Sequence, residues 1–237
     1  MPAHAIRPTR RWHNGQVSVF QTLRDAFAPD PNAISTPIVL NAPAGAVPIT
    51  LRTMDADDEG AWSEVRWGND EWLRPWESGD PMHGPGITFN QWLAGQRRNE
   101  QRGTGVVFLI EHGMRIVGQI SLGAISYGSM RTGVVGYWVA RDHAGHGIAP
   151  TALAMLADWA IGDPAGPRLH RLEIAILPEN ERSLAVVRKV GARYEGTRPN
   201  YMYVNGRWRT HETFCLLEED RGEGFAARLV GRLAERR

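Results

Sequence analysis

Cysteine and lysine are almost missing from this chain. Of its 237 residues, one is a cysteine, Cys215, and one is a lysine, Lys189. A single thiol excludes an internal disulfide framework and suits a reducing compartment. Cys215 lies in the apolar run Thr213 to Leu217 and reads as a buried structural thiol, not a nucleophile. Arginine carries nearly all the positive charge, and the formal net charge is only +1, which gives no reason to expect nucleic acid as a partner. No apolar run approaches the ~20 residues of a membrane-spanning helix, and the N-terminal stretch lacks the apolar core of a secretory signal. A cytoplasmic protein with no membrane partner is expected. A nucleotide P-loop is excluded, because no Gly-Lys-Ser/Thr follows a glycine-rich turn.

What the chain does have is one stretch, Gly136 to Gly162, around which the rest is arranged. The apolar residues before its corner (Val134, Val135, Tyr137, Trp138, Val139) are β-branched or aromatic, which suits a buried strand. The stretch closes with apolar residues at helical spacing (Ile148, Ala152, Leu156, Trp159). Between them lies Ala144-Gly145-His146-Gly147-Ile148-Ala149. Glycines there let the backbone come close to a ligand, and the helix behind them presents its positive end, so the corner reads as a phosphate or pyrophosphate seat. Its spacing is not that of the Rossmann dinucleotide fingerprint, and a plain strand-to-helix turn would use the same glycines.

Taken in order, the chain begins with a Pro-, Ala- and Arg-rich segment with a short helix expected over Val17 to Phe27. Strands are expected at Ile38 to Leu40 and Val47 to Arg52. Asp55 predicts a helix cap for Ala56 to Trp67, and Thr88 another for Phe89 to Glu100. Asn69 to Trp76, with two tryptophans and an arginine, reads as a loop. Val106 to Glu111 and Met114 to Ala124 form a hairpin. Arg171 to Leu177 alternates as a strand, with Leu172, Ile174 and Ile176 on one face. Asn180 caps a helix over Glu181 to Val190 that Gly191 closes. The last strands are expected at Tyr194 to Thr197 and Arg209 to Leu217, separated by a loop at Asn200 to Gly206. An amphipathic helix follows, with Phe225, Leu229 and Leu233 on one side. The fold class is α/β (α+β): a mixed sheet with helices on both faces. The glycine corner stands at the carboxyl end of a central strand, where open α/β sheets bind ligands.

These residues resemble a known family. The element order, the corner Gly145 to Ala149, and Pro178-Glu-Asn-Glu-Arg-Ser183 with Lys189-Val-Gly191 are similar to the GCN5-related N-acetyltransferase (GNAT) superfamily. Leu73-Arg-Pro-Trp76, Gly136-Tyr-Trp138 and Val204-Asn-Gly-Arg-Trp-Arg-Thr-His211 look like its RimJ/RimL branch of ribosomal-protein N-terminal acetyltransferases, RimJ-type members most of all. The resemblance covers about residues 48 to 218. The implied division is an N-terminal extension over 1–45, packed on or near the domain, an acetyltransferase domain over 46–218, and a C-terminal amphipathic helix over 219–237.

The resemblance implies a mostly antiparallel sheet whose two parallel strands splay apart around acetyl-CoA, the cosubstrate, with no metal. The cofactor-binding residues would be Val139, Arg141, Gly145, His146, Gly147, Ile148, Ala149, Asn180 and Ser183. The family's Gln or Arg before the first glycine is Ala144 here. The backbone N–H groups of Val139 to Arg141 are expected oxyanion donors. Ser183 would protonate the leaving thiolate, because Val187 replaces the tyrosine that many relatives use. Glu173 is the candidate general base, with an ion pair to Arg171 as the competing reading. Trp72, Arg74, Trp76, Tyr201, Tyr203 and Trp208 would hold the acceptor. Attack is direct, with no covalent enzyme intermediate. Three readings stay open: acetylation of a ribosomal protein N-terminus, acetylation of a small amine such as a polyamine, amino acid or aminoglycoside, and a CoA-binding or ribosome-assembly factor in which catalysis is secondary. Whether the chain is a monomer or a homodimer is open too.

Overall fold

The computed structural model describes residues 30–82 and 86–234. The helix expected over Val17 to Phe27 lies outside the described residues. Among the described residues, eight strands form one sheet in the order β1-β2-β3-β4-β5-β6-β8-β7. They are β1 (Val39–Asn41), β2 (Ile49–Thr53), β3 (Val106–His112), β4 (Arg115–Ser126), β5 (Thr132–Val139), β6 (Arg171–Ile176), β7 (Arg193–Val204) and β8 (Arg207–Leu217). Every neighbouring pair is antiparallel except β5 and β6.

The helices are α1 (Glu59–Gly68), α2 (Asp70–Leu73), α3 (Phe89–Gln101), α4 (Ile148–Ala157), α5 (Glu181–Val190) and α6 (Phe225–Ala234). On one face of the sheet, α4, α5 and α6 bury Leu153, Leu156, Leu184, Val187, Phe225 and Leu229 against Phe108, Ile120, Leu172 and Ile174. The smaller core on the other face joins Val107, Leu109 and Ile116 to Trp62 of α1 and Phe89, Trp92 and Leu93 of α3. This second layer covers only the β2–β4 half of the sheet. Among the described residues, no helix covers the other half of that face.

Local chemistry explains where the helices start. Asp55 and Asp58 form a reciprocal capping box ahead of α1, and Thr88 and Gln91 form another ahead of α3. The Asn180 side chain accepts from the Ser183 amide at 3.2 Å, and Gly191 ends α5 in the left-handed region at φ +84°. The cap of α6 comes from far away: both oxygens of Asp158 accept its first amides, Phe225 at 2.7 Å and Ala226 at 2.9 Å.

Two expectations are corrected. Asn69 to Trp76 is not an open loop: it holds α2 and a 3-10 turn over Arg74–Trp76. Asn200 to Val204 is not a loop either. It continues β7, so β7 and β8 make one long hairpin turning at Asn205-Gly206. Both of those residues have positive φ, which suits a tight strand connection. Before the expected domain, Ile34 joins the main core and β1 pairs with β2, so residues 30–45 pack on the sheet.

Candidate active site

Strands β5 and β6 run parallel for only three pairs: Thr132↔Arg171, Gly133↔Leu172 and Val134↔Glu173. Beyond them β5 stays with β4 as far as Val139, and β6 stays with β8 as far as Ile176. The sheet therefore opens into a wedge. A cleft of about 1520 Å³ passes through it, lined by Val139, Arg141, Gly145, Gly147, Ile148, Ala149, Asn180, Ser183, Trp72 and Trp76 among others. Ten of the expected site residues thus share one cavity.

At one mouth of the wedge sits the glycine corner. Gly145 and Gly147 have φ of +85° and +80°, which glycine alone adopts at little cost. A Cβ on Gly147 would also stand 3.0 Å from Val47 Cγ2. The first backbone bond of α4 is Thr151 N–H to the Gly147 carbonyl at 3.2 Å, and the amides of residues 145–149 donate to no described backbone carbonyl. Pro150 has no amide to satisfy. Unpaired amides at a helix start, with Arg141, Arg182 and Lys189 also on the cleft wall, fit a phosphate-bearing ligand. The missing side-chain donor at Ala144 leaves this backbone seat intact.

The wedge itself supplies directed backbone groups. In an antiparallel ladder alternate residues aim N–H and C=O at the same neighbour. Ala140 N–H donates to the Val117 carbonyl at 2.8 Å, so Val139 turns its own groups away from β4, toward the gap. Its carbonyl accepts the Trp72 indole N–H at 3.1 Å. Arg141 N–H is taken by Asn69 Oδ1 at 2.8 Å. Of the three expected oxyanion donors, Ala140 and Arg141 are already engaged, which leaves Val139. Across the gap, Tyr137 Oη donates to the Ser183 carbonyl at 3.4 Å, and burial pushes that phenol above its ordinary range.

The open face of the sheet forms the second half of the cleft. Six of the eight tryptophans among the described residues line the cavity: Trp62, Trp67, Trp72, Trp76, Trp92 and Trp138. Trp62 stacks on Trp92 with ring centres 5.5 Å apart and donates its indole N–H to Gln119 Oε1 at 2.9 Å. Arg182 lies over the Trp72 ring at 4.4 Å. Arg66 is buried, lies over Trp67 at 4.8 Å, and pairs with Glu77 at 2.6 Å. Such a site accepts a group with an apolar body and a few hydrogen-bonding atoms.

Several expected site residues stand elsewhere. Glu173 does not line the cleft: its two oxygens take Arg171 Nε at 3.1 Å and Arg198 Nη1 at 3.0 Å, the ion-pair alternative. His146 is exposed and outside the lining. Arg74 is also exposed and pairs with Asp70 at 3.3 Å. Tyr203 and Trp208 pack edge-on against each other at 5.8 Å, and Tyr201 stands edge-on to His211 at 6.0 Å with Arg198 on its hydroxyl. None of these three lines the cavity; Met202, Val204 and His211 of the same hairpin do. The cause is the extension of β7, whose period of two sends Met202 and Val204 to the cleft and the intervening Tyr203 away. Cys215 is buried, and burial pushes its thiol up to about 11, which leaves it protonated.

Sequence reasoning missed Gln119, Ser121, Trp62, Trp92, Arg182 and His211. One signal was available. On β4, Gln119, Ser121 and Gly123 alternate with the buried Ile120 and Leu122. Polar and small residues facing one way from a central strand mark a face that is not packed.

The comparisons with known proteins agree with this geometry. The family model for the acetyltransferase (GNAT) domain matches residues 49–193. The probable N-acetyltransferase YjcK of Bacillus subtilis (strain 168) is 32% identical over 106 residues, 45% of this chain and 57% of that relative's own length. The ribosomal protein uS5-alanine N-acetyltransferase of Escherichia coli (strain K12) is 23% identical over 168 residues, covering 69% of this chain and 85% of the relative. The structure of Mycobacterium smegmatis RimJ in complex with CoA-disulfide is 32% identical, with a TM-score of 0.74 over 86% of this chain and 97% of that one. With the splayed parallel pair, the amide-lined corner and the family match over most of the sheet, this chain belongs to the GNAT acetyltransferase family.

Proposed function

We propose that this chain moves an acetyl group from acetyl-CoA to the N-terminal α-amine of a ribosomal protein. The observation that carries the reading is the wedge: β5 and β6 part after Val134 and Glu173, with an amide-lined phosphate seat at one wall and Asn180 and Ser183 at the other. The similarity to the RimJ structure over 86% of the chain supports the acceptor class. So does the chemistry of the amine, since an N-terminal α-amine has a reference pKa of about 8 and a lysine side chain about 10.4.

In this reading the amides of Gly145, Gly147 and Ile148 hold the pyrophosphate, and Asn180 contacts the pantetheine arm. The Val139 N–H donates to the thioester oxygen as charge builds there. Ser183 Oγ gives its proton to the departing thiolate. Trp72 and Trp76 close the side from which the amine arrives, which holds it in line with the thioester carbon.

The test is acetyl-CoA turnover, followed by thiol release, with a peptide copying an Ala- or Ser-initiated ribosomal N-terminus and with spermidine. Turnover on the peptide alone supports the proposal. Turnover on spermidine alone replaces it with a small-amine acetyltransferase, and CoA binding with neither turnover points to a binding factor.

A further inference from the structure

The reaction needs an acceptor for the ammonium proton, and the expected one, Glu173, is outside the cleft. The cleft wall offers another group. His211 lies on β8, opposite Arg198 of β7, and two residues before Thr213, which faces Ala175 of β6. It therefore stands level with Leu177, just past the end of β6 and beyond the point where β5 and β6 part. His211 is 4% exposed and lines the cavity.

One hydrogen bond fixes its chemistry. His211 Nδ1 is 3.0 Å from the Arg209 carbonyl oxygen. A carbonyl only accepts, so Nδ1 carries the proton in the neutral ring and Nε2 carries the lone pair. Nε2 hydrogen-bonds to no described residue. The surrounding charges come from three elements. Arg209 and Glu212 flank it on β8, and Arg209 is paired with Glu179 at the turn before α5. Arg198 on β7 faces it but is held by Glu173 and by the Tyr201 hydroxyl. Burial, then the Arg209 charge, pull the imidazole below the ordinary histidine range, against the Arg209 carbonyl and Glu179. The ring is neutral at pH 7 and able to take a proton.

We infer that His211 Nε2 accepts the proton of the acceptor ammonium, directly or through one water, and so is the general base of this cleft. This rests on the acetyltransferase reading. One ammonium proton passes to Nε2 and from there to solvent. The freed lone pair forms the N–C bond to the acetyl carbon. The C–S bond breaks with its electron pair on sulfur, and a second proton from the nitrogen reaches the thiolate by way of Ser183. Acetyl-CoA and the ammonium become amide, CoA thiol and one released proton.

The experiment compares wild type with His211→Gln on the peptide acceptor, across pH, alongside CoA affinity and thermal melting. The expected result is a fall in kcat of about a hundredfold, with CoA affinity within twofold. The wild-type kcat/KM profile should show an acid limb below about 6.5, unmoved by an acceptor of different basicity and absent from the variant. A variant within threefold of wild-type kcat, with the limb retained, overturns the inference while leaving the acetyltransferase reading standing. If His211→Gln does not fold, the wild-type profile decides, and a profile with only the acceptor's own limb overturns it. A wild-type chain that acetylates no amine sinks the functional reading and this inference together.

Discussion

The Trp72 indole nitrogen donates to the Val139 carbonyl at 3.1 Å, and the two residues are 67 positions apart in the chain. The bond joins α2 to the carboxyl end of β5, beyond the point where β5 parts from β6. It places an aromatic wall beside the Val139 N–H, which the β4 ladder leaves facing the wedge. Trp72→Phe keeps an aromatic ring under Arg182 and removes this bond. A neutral hydrogen bond contributes about 1 kcal/mol, so kcat/KM for the acceptor is expected to fall about fivefold, with CoA affinity little changed. Steady-state kinetics with calorimetry on CoA check this.

Ser183 opens α5 and lines the cleft, but its side-chain hydroxyl is not needed for the cap, which Asn180 makes to the Ser183 amide. Ser183→Ala should therefore keep the melting temperature and lower kcat at least tenfold. A variant with unchanged kcat would remove Ser183 from the chemistry.

Gly147 is the strictest position of the proposed phosphate seat, because of its positive φ and the nearby Val47. Gly147→Val is expected to weaken CoA binding by a factor of ten or more. Equilibrium binding measures it, with circular dichroism to show that the helices persist. Unchanged affinity would mean that the corner does not hold the cosubstrate.

Glu173→Gln offers a contrast with the cleft histidine. The substitution weakens ion pairs to Arg171 and Arg198 outside the cavity. The expected outcome is a lower melting temperature with kcat within threefold of wild type. A hundredfold loss of kcat with normal stability would restore Glu173 as the base.

Asp58 gives a pH-dependent stability. Its burial opposes ionisation, but the Arg52 guanidinium at 2.6 Å and the Asp55 amide at 2.8 Å outweigh this and hold its carboxyl below the ordinary aspartate range. The folded pKa is depressed, so the stabilisation is complete above the unfolded value of about 3.9 and is lost as pH falls through the folded one. Asp58→Asn should cost about 2 kcal/mol at pH 7. Urea unfolding at pH 7 and near pH 3 checks that the difference between variant and wild type shrinks in acid.

What the sequence by itself determined is the local part. Helix α5 runs over the residues expected, Glu181 to Val190, because its cap at Asn180 and its stop at Gly191 act within a few residues of where they stand. The caps at Asp55 and Thr88 and the glycine corner were legible for the same reason. The family resemblance then implied the splayed pair and the cosubstrate. The tertiary structure alone decided which side chains meet. Whether Asn200 to Val204 is loop or strand depends on its pairing with β8, and that pairing set Met202, Val204 and His211 in the cleft and Tyr203 outside it. The alternation of β6 showed which residues share a face with Glu173, but Arg198, 25 residues away, is what occupies its carboxylate. Likewise Trp62, Trp92 and Gln119 come from two helices and a strand, and only the packing of α1 and α3 over half of the sheet makes them one wall.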